Sequence, residues 1–264
     1  FRPDGHLLLQ RRNKRDMRKS SIKLISQNIE RDQHYETALP FLKREQADVV
    51  CLMEILDRDV ERFKGELGMD CLFAPTGVAD RGRGTEALAK AGTCMGTAFF
   101  SRLPLTDCRI LYYHGTPEKI PSATDAVSLN WHENFNGILL VARARIGEEF
   151  FTIGTTHFTW TPDGSASEGQ RKDMRALLAL LEQFPEIVFC GDFNAPRGKE
   201  IWNMIAARYR DNIPPEYTTS IDQNLHAVAG IQYVVDGLFS TPHYRCSDTK
   251  LVSGVSDHCA IVSM

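Results

Sequence analysis

The sequence predicts a layered α/β fold, and three observations carry that reading. From Ser21 onward, short apolar runs of strand length alternate with stretches of helical periodicity. Several of the apolar runs finish in Asn, Asp, Glu or His, the groups that layered folds present where their strands end. No internal repeat and no low-complexity segment interrupts the alternation.

The elements follow in chain order. Residues 22–28 form an apolar strand ending at Asn28, residues 34–46 a helix, residues 48–54 a strand ending at Glu54, and residues 57–67 a second helix. The stretch 76–96 holds Gly77, Gly82, Gly84, Gly92 and Gly96 with Arg81, Arg83 and Lys90. It lacks both the Gly-Lys-Ser/Thr ending of a phosphate-cradling loop and the order of a dinucleotide motif, and reads as a surface loop. Consecutive strands are expected between residues 127 and 156, the last being Phe151-Thr152-Ile153-Gly154-Thr155-Thr156 with His157 at its end. A loop at 160–169 follows. Ser167-Glu168-Gly169-Gln170 has capping-box spacing, and Met174, Leu177, Leu178 and Leu181 then share one helical face. Ile187-Val188-Phe189-Cys190 is a buried strand, residues 199–209 a short amphipathic helix, and a pair of strands is expected between 232 and 252, with Asp236 in or just after an apolar run. Ser256-Asp257-His258 precedes a last apolar run, Cys259-Ala260-Ile261-Val262.

Gly191-Asp192-Phe193-Asn194 is the most informative stretch. Residues two apart in an extended chain point to the same side, so Asp192 and Asn194 emerge together at a strand end. Asp192 can orient or deprotonate a water, and Asn194 can donate to a phosphoryl oxygen. Alone, the pair could equally be an Asx turn, and His157 alone a structural histidine. Six strand-associated groups of the types used in metal and phosphate chemistry are harder to read as coincidence.

Composition narrows the classes. At 264 residues with 42% apolar side chains, the chain fits one larger domain or two small ones. No apolar stretch approaches a membrane span. Seven scattered cysteines without a CxxC suit a reducing compartment, and the cytoplasm is the expected location. Residues 1–20 hold seven basic and two acidic groups, a net of +5, and read as a basic extension. The overall charge is −3, so residues 21–264 carry −8. That body lacks the broad positive field of a tight non-specific DNA binder.

The motif set, in this order, resembles the endonuclease/exonuclease/phosphatase superfamily. Its members include apurinic endonucleases of the exonuclease III type, pancreatic-type deoxyribonucleases, neutral sphingomyelinases, inositol-polyphosphate 5-phosphatases, poly(A) deadenylases and 5′-tyrosyl-DNA phosphodiesterases. The resemblance spans roughly residues 21–264, and Gly96-Thr97-Ala98-Phe99-Phe100-Ser101-Arg102-Leu103-Pro104-Leu105 looks like the segment these enzymes carry between their second and third motifs. It implies a four-layer sandwich in which two mainly antiparallel sheets face each other and helices flank them. It implies Mg2+ or Mn2+ held by Glu54, with Asp257 nearby, and Asp192 as the group that activates water. Asn194 and His157 would contact the phosphate, Asn28 would place metal and phosphate, and Asp236 would hold His258 over the scissile group. Two departures stand out: Gly237 follows Asp236 where nucleases often have an aromatic, and Thr156-His157-Phe158-Thr159-Trp160 departs from the tyrosyl-DNA phosphodiesterase pattern.

The expected function is therefore metal-dependent hydrolysis of a phosphodiester by a monomer. The acidic body and a rim offering Trp160, Arg81 and Arg83 favour a short or single-stranded nucleic acid or nucleotide-like substrate. Alternatives on the same site are a phosphomonoesterase or a phospholipid- or sphingomyelin-type phosphodiesterase. A catalytically silent binding module would normally have lost one of the metal- and water-handling groups, and all are present.

Overall fold

Alternating burial turns the apolar runs into strands with two apolar faces, and the helices cover what those faces leave open. The computed structural model describes residues 20–79, 91–122, 134–162 and 164–264. In chain order the elements are β1 (Leu24–Asn28), α1 (Tyr35–Glu45), β2 (Val49–Leu56), a 3-10 turn (Asp57–Asp59) leading into α2 (Val60–Leu67), β3 (Asp70–Val78), β4 (Cys94–Ser101), β5 (Leu105–His114), β6 (Gly137–Ile146), β7 (Glu149–His157), α3 (Glu168–Leu181), β8 (Val188–Asp192), α4 (Glu200–Ala206), β9 (Arg210–Asp211), β10 (Asp236–Ser240), β11 (Lys250–Val252) and β12 (Ala260–Ser263).

Twelve strands form two six-stranded sheets, ordered β11-β12-β1-β2-β4-β3 and β5-β6-β7-β8-β10-β9. Each sheet has a single parallel pairing at its centre, β1 with β2 and β7 with β8, and antiparallel neighbours on both sides. Side chains alternate between the faces. Leu24, Cys51, Phe99 and Ile261 from the first sheet meet Leu139, Ile153 and Phe189 from the second in the core between the sheets. Ile25, Val50, Phe100 and Val262 face outward onto Leu39 and Leu42 of α1 and Phe63 and Leu67 of α2. Met174, Leu177 and Leu181 of α3, with Trp202 and Ile205 of α4, are buried against the second sheet. The expected four layers are thus present. Ser167 caps α3 as its spacing implies, its hydroxyl accepting from the N–H of Gln170 at 3.0 Å.

One expectation needs correction. The strands β10 and β11, read as a pair between 232 and 252, lie in different sheets, β10 beside β8 and β11 beside β12. Strands β3 and β5 carry no clear sequence signal. Both sit at sheet edges, where one flank needs no partner, and β5 leaves most of its first half exposed. Apart from Ser20, the basic extension lies outside the described residues, as do Arg81, Arg83 and Lys90.

Candidate functional site

Parallel pairing decides where the site forms. Two parallel strands finish at the same edge of a sheet, and the register sets Asn28 beside Met53, next to Glu54, and His157 beside Asp192. Asn28 then bridges the two sheets, its Nδ2 donating to Glu54 Oε1 and to Asp192 Oδ2, both at 3.2 Å. His157 Nε2 lies 3.6 Å from Asp192 Oδ2 and 4.0 Å from Glu54 Oε1.

The local backbone is bent to make this possible. The ladder between β2 and β4 shifts register between Met53 and Ile55, and the bulged Glu54 sits at φ 62°. A bulge re-aims one side chain without ending the strand. Gly191 is the counterpart in β8. At φ 148°, a Cβ placed there would lie 1.8 Å from the carbonyl oxygen of Thr156, so no other residue fits before Asp192. Gly237 also has a packing reason: a Cβ would meet Phe239 at 2.6 Å and Phe193 at 3.0 Å. The rings of Phe193 and Phe239 fill that space.

Asp192 is almost wholly buried. Burial raises its pKa, and the nearby Asp236 adds to the rise, against the opposing pull of His258 and His157. Asp236 accepts from His258 Nδ1 at 2.8 Å and from the Ser220 hydroxyl at 2.6 Å. That hydroxyl in turn accepts from the N–H groups of Val235 and Asp236 at 2.9 and 3.0 Å. Burial disfavours the charged form of His258, yet Asp236 and Asp192, the latter 3.8 Å away, outweigh it and hold the pKa well above the usual histidine value.

Glu54 is balanced differently. Burial pushes its pKa up, but Arg31, His157 and the Asn28 amide more than compensate, and the net direction is down. Arg31 Nη1 donates to Glu54 Oε2 at 3.0 Å and Nη2 reaches Glu30 Oε1 at 3.4 Å. Glu30 and Arg31 hold φ values of 42° and 61°, and these two left-handed residues turn the chain back after Asn28. Glu30 Oε2 accepts from His34 Nε2 at 3.0 Å, and Glu30, His34 and Asp257 bring their ligand atoms within 4.8 Å of one another. Asp192, Asp236 and His258 form a second such group. Carboxylates from Glu54, Asp192, Asp257 and Glu30 thus gather at one edge. A hard divalent cation fits that donor set. In the Asp192–Asp236–His258 group, His258 Nδ1 and Asp236 Oδ2 are already joined at 2.8 Å, which leaves fewer free donor atoms for a metal.

Asn194 is placed otherwise than its spacing suggests. Its N–H donates to Asp192 Oδ1 at 2.8 Å and its side-chain amide to the Phe158 carbonyl at 2.8 Å, so the Asx turn and the loop after β7 use it. Trp160 is half-buried on the loop that follows His157. Sequence reasoning did not find Arg31, Glu30, His34, Ser220, Asp222 or His226. Asp222 sits beneath the loop before β10, and the His226 ring stands 6.3 Å from that of His258. Of these, only Glu30 and His34, four apart before a helix, left a readable trace.

A cavity of about 580 Å³ opens at the opposite edge, where β1 and β8 begin, lined chiefly by Ile22, Leu24, Phe151, Ile153, Val188 and Leu238. Glu149, His243 and Arg245 also line it.

A family model described as "Endonuclease/Exonuclease/phosphatase family" matches residues 25–258. No curated protein matches the sequence. Among solved structures, an endonuclease/exonuclease/phosphatase from Bacteroides vulgatus superposes with a TM-score of 0.66 at 17% identity, covering 93% of this chain and 98% of that one. A mannosyl-6-phosphatase from Bacteroides thetaiotaomicron gives 0.65 at 12%, covering 92% and 99%. The human Nocturnin catalytic domain, with a bound sulfate, gives 0.62 at 18%, covering 92% and 93%.

Proposed function

This chain belongs to the endonuclease/exonuclease/phosphatase family, and on that premise we propose that it hydrolyses a phosphodiester with Mg2+ or Mn2+, on a short or single-stranded nucleic acid or a nucleotide-like substrate. The observation that carries this reading is Asp192: a buried carboxylate of raised pKa, tied through Asn28 to Glu54 and flanked by His157 and His258.

A phosphodiester repels nucleophiles, so its charge must be met while a water is aligned in line with the leaving oxygen. Asp192 takes the proton of that water, and its raised pKa makes it a stronger acceptor. His258, kept cationic by Asp236, faces the charge that grows on the phosphoryl oxygens. His157 supplies a second imidazole beside Asp192. Glu54 and Asp257, with Asn28 and Glu30 beside them, would hold the metal; when bound, it neutralises phosphate charge and lowers the barrier to attack. Trp160 offers a face on which a base can stack, and the net charge of −8 on residues 21–264 disfavours long duplex. All seven cysteines are free thiols, which supports action in the cytoplasm. No described helix is long and apolar enough to cross a membrane.

The rival is a phosphomonoesterase, and a fold neighbour with that activity in its name keeps it in view. Side-by-side assays of bis(4-nitrophenyl) phosphate and 4-nitrophenyl phosphate, then of single-stranded and duplex oligonucleotides, separate the readings. Faster diester turnover that stops in excess chelator is expected. Undiminished turnover in chelator, or preference for the monoester, refutes the proposal. Duplex affinity falling about three decades between 50 and 200 mM salt would make the substrate duplex after all.

A further inference from the structure

We propose that His226 serves the leaving group, giving a proton from Nε2 to the oxygen released when the phosphorus–oxygen bond breaks. The inference rests on the hydrolase reading above and adds a residue to it.

The segment before β10 is fastened to the strand entry that carries His258. Ile221 bridges His258 in antiparallel fashion, Cys259 N–H donates to the Ser220 carbonyl at 2.7 Å, and Asp222 N–H donates to the Asp257 carbonyl at 2.8 Å. The buried Asp222 carboxylate then accepts from the N–H groups of Asn224, Leu225 and Gly254 at 2.9, 3.0 and 2.6 Å. Its own carbonyl accepts from the N–H of His226 at 3.1 Å. One residue therefore fixes the backbone of His226 against the loop leading to His258.

The ring is equally constrained. Nδ1 lies 3.0 Å from the carbonyl oxygen of Val228 and 3.1 Å from its N–H, so it has a backbone partner whether it donates or accepts. Any proton exchanged with a bound molecule falls to Nε2, which has no protein partner among the described residues. The ring stands 6.3 Å from His258, centre to centre, at 64°. It is half-buried, open to a substrate lying on His258 and to the solvent that would reprotonate it.

The other groups are committed elsewhere. Asp192 accepts the proton of the attacking water, and His258, with Nδ1 bonded to Asp236 at 2.8 Å, is given to the phosphoryl oxygens in the reading above. An alkoxide released from a sugar needs a proton. His157 stands against Asp192 and Glu54 at 3.6 and 4.0 Å, beside the attacking water, whereas His226 is the imidazole whose ring adjoins that of His258. In the step, the water oxygen bonds to phosphorus while its proton passes to Asp192. The electron pair of the breaking bond stays on the leaving oxygen, which takes the Nε2 proton and leaves His226 neutral.

The leaving group makes the test. 4-Nitrophenolate departs without a proton, whereas the sugar oxygen of a dinucleotide does not. His226→Ala and His226→Gln are compared with wild type on bis(4-nitrophenyl) phosphate and on a dinucleotide. The loss of kcat on the dinucleotide should exceed that on the aryl ester by about 10²-fold or more, with KM little changed. Glutamine keeps a polar group but cannot cycle a proton, so it should not rescue. Equal losses on both substrates, no loss, or a change confined to KM overturns the inference while leaving the hydrolase reading standing. Wild-type protein that cleaves neither ester would sink both.

Discussion

Glu54 at the β2 bulge and the buried Asp192 at the end of β8 are two carboxylates joined by one asparagine, yet their environments push them in opposite directions. Glu54 has a guanidinium at 3.0 Å and a lowered pKa. Asp192 has His258 at 3.8 Å, shared with Asp236, and burial with the Asp236 charge leaves its pKa raised. Carboxylates whose environments separate their pKa values commonly divide the work of a site. Glu54 is stabilised as an anion, the form the proposed metal would need. The raised pKa of Asp192 suits the proton acceptor proposed above.

Removing each charge should therefore have unlike consequences. The largest effect is expected for Asp192→Asn, with kcat falling by about 10²–10⁴-fold, while thermal stability holds or rises because an unfavourable buried charge is gone. A kcat within a few-fold of wild type, on the order of what removing no acid–base group would give, would break the assignment. Glu54→Gln comes next. It removes the nearer of two carboxylates around the buried Arg31, leaving Glu30 at 3.4 Å, and should cost about 1–3 kcal/mol of stability, together with weaker Mn2+ binding by calorimetry. A melting temperature unchanged by Glu54→Gln, or lowered by Asp192→Asn, would erase the contrast.

The smallest expected effect concerns His258. Its folded pKa is raised, so the stability gained from its charge is complete below the pKa of a free histidine and disappears as pH rises through the raised folded value. Asp236→Asn should move that loss to lower pH. Melting curves across pH for both proteins measure it, and coincident profiles would show that Asp236 does not hold the imidazolium.

Asn28, Glu54, His157, Asp192 and His258 were legible because each adjoins an apolar run long enough to read as a strand. What joins them was not. Arg31 follows Asn28 by three residues, and only two successive left-handed residues bring it back to Glu54, a turn that no side-chain pattern announces. Ser220 and His226 lie in a stretch without helical or strand period: Ser220 is held by Asp236 and the N–H groups of Val235 and Asp236, and His226 by Asp222, which acts through the backbone. Asn194 shows the converse. Its spacing from Asp192 was read correctly, but local bonding to Phe158 claims its amide. The fold was legible through its central strands and poorly so at its edges, where β3 and β5 bury too little to leave a period.

The central parallel pairs have a consequence for how the molecule breathes. Strands β1, β2, β7 and β8 each have a bonded neighbour on both sides, so exposing their amides requires opening that approaches global unfolding. In hydrogen–deuterium exchange they should be among the slowest to label, and the groups they carry will stay aligned until the whole structure gives way. The segment bearing His226 borders no such strand and hangs on the carboxylate of Asp222. It should label early. The leaving-group donor proposed above thus sits on a segment that opens more readily than the strands carrying Asn28, Glu54, His157 and Asp192.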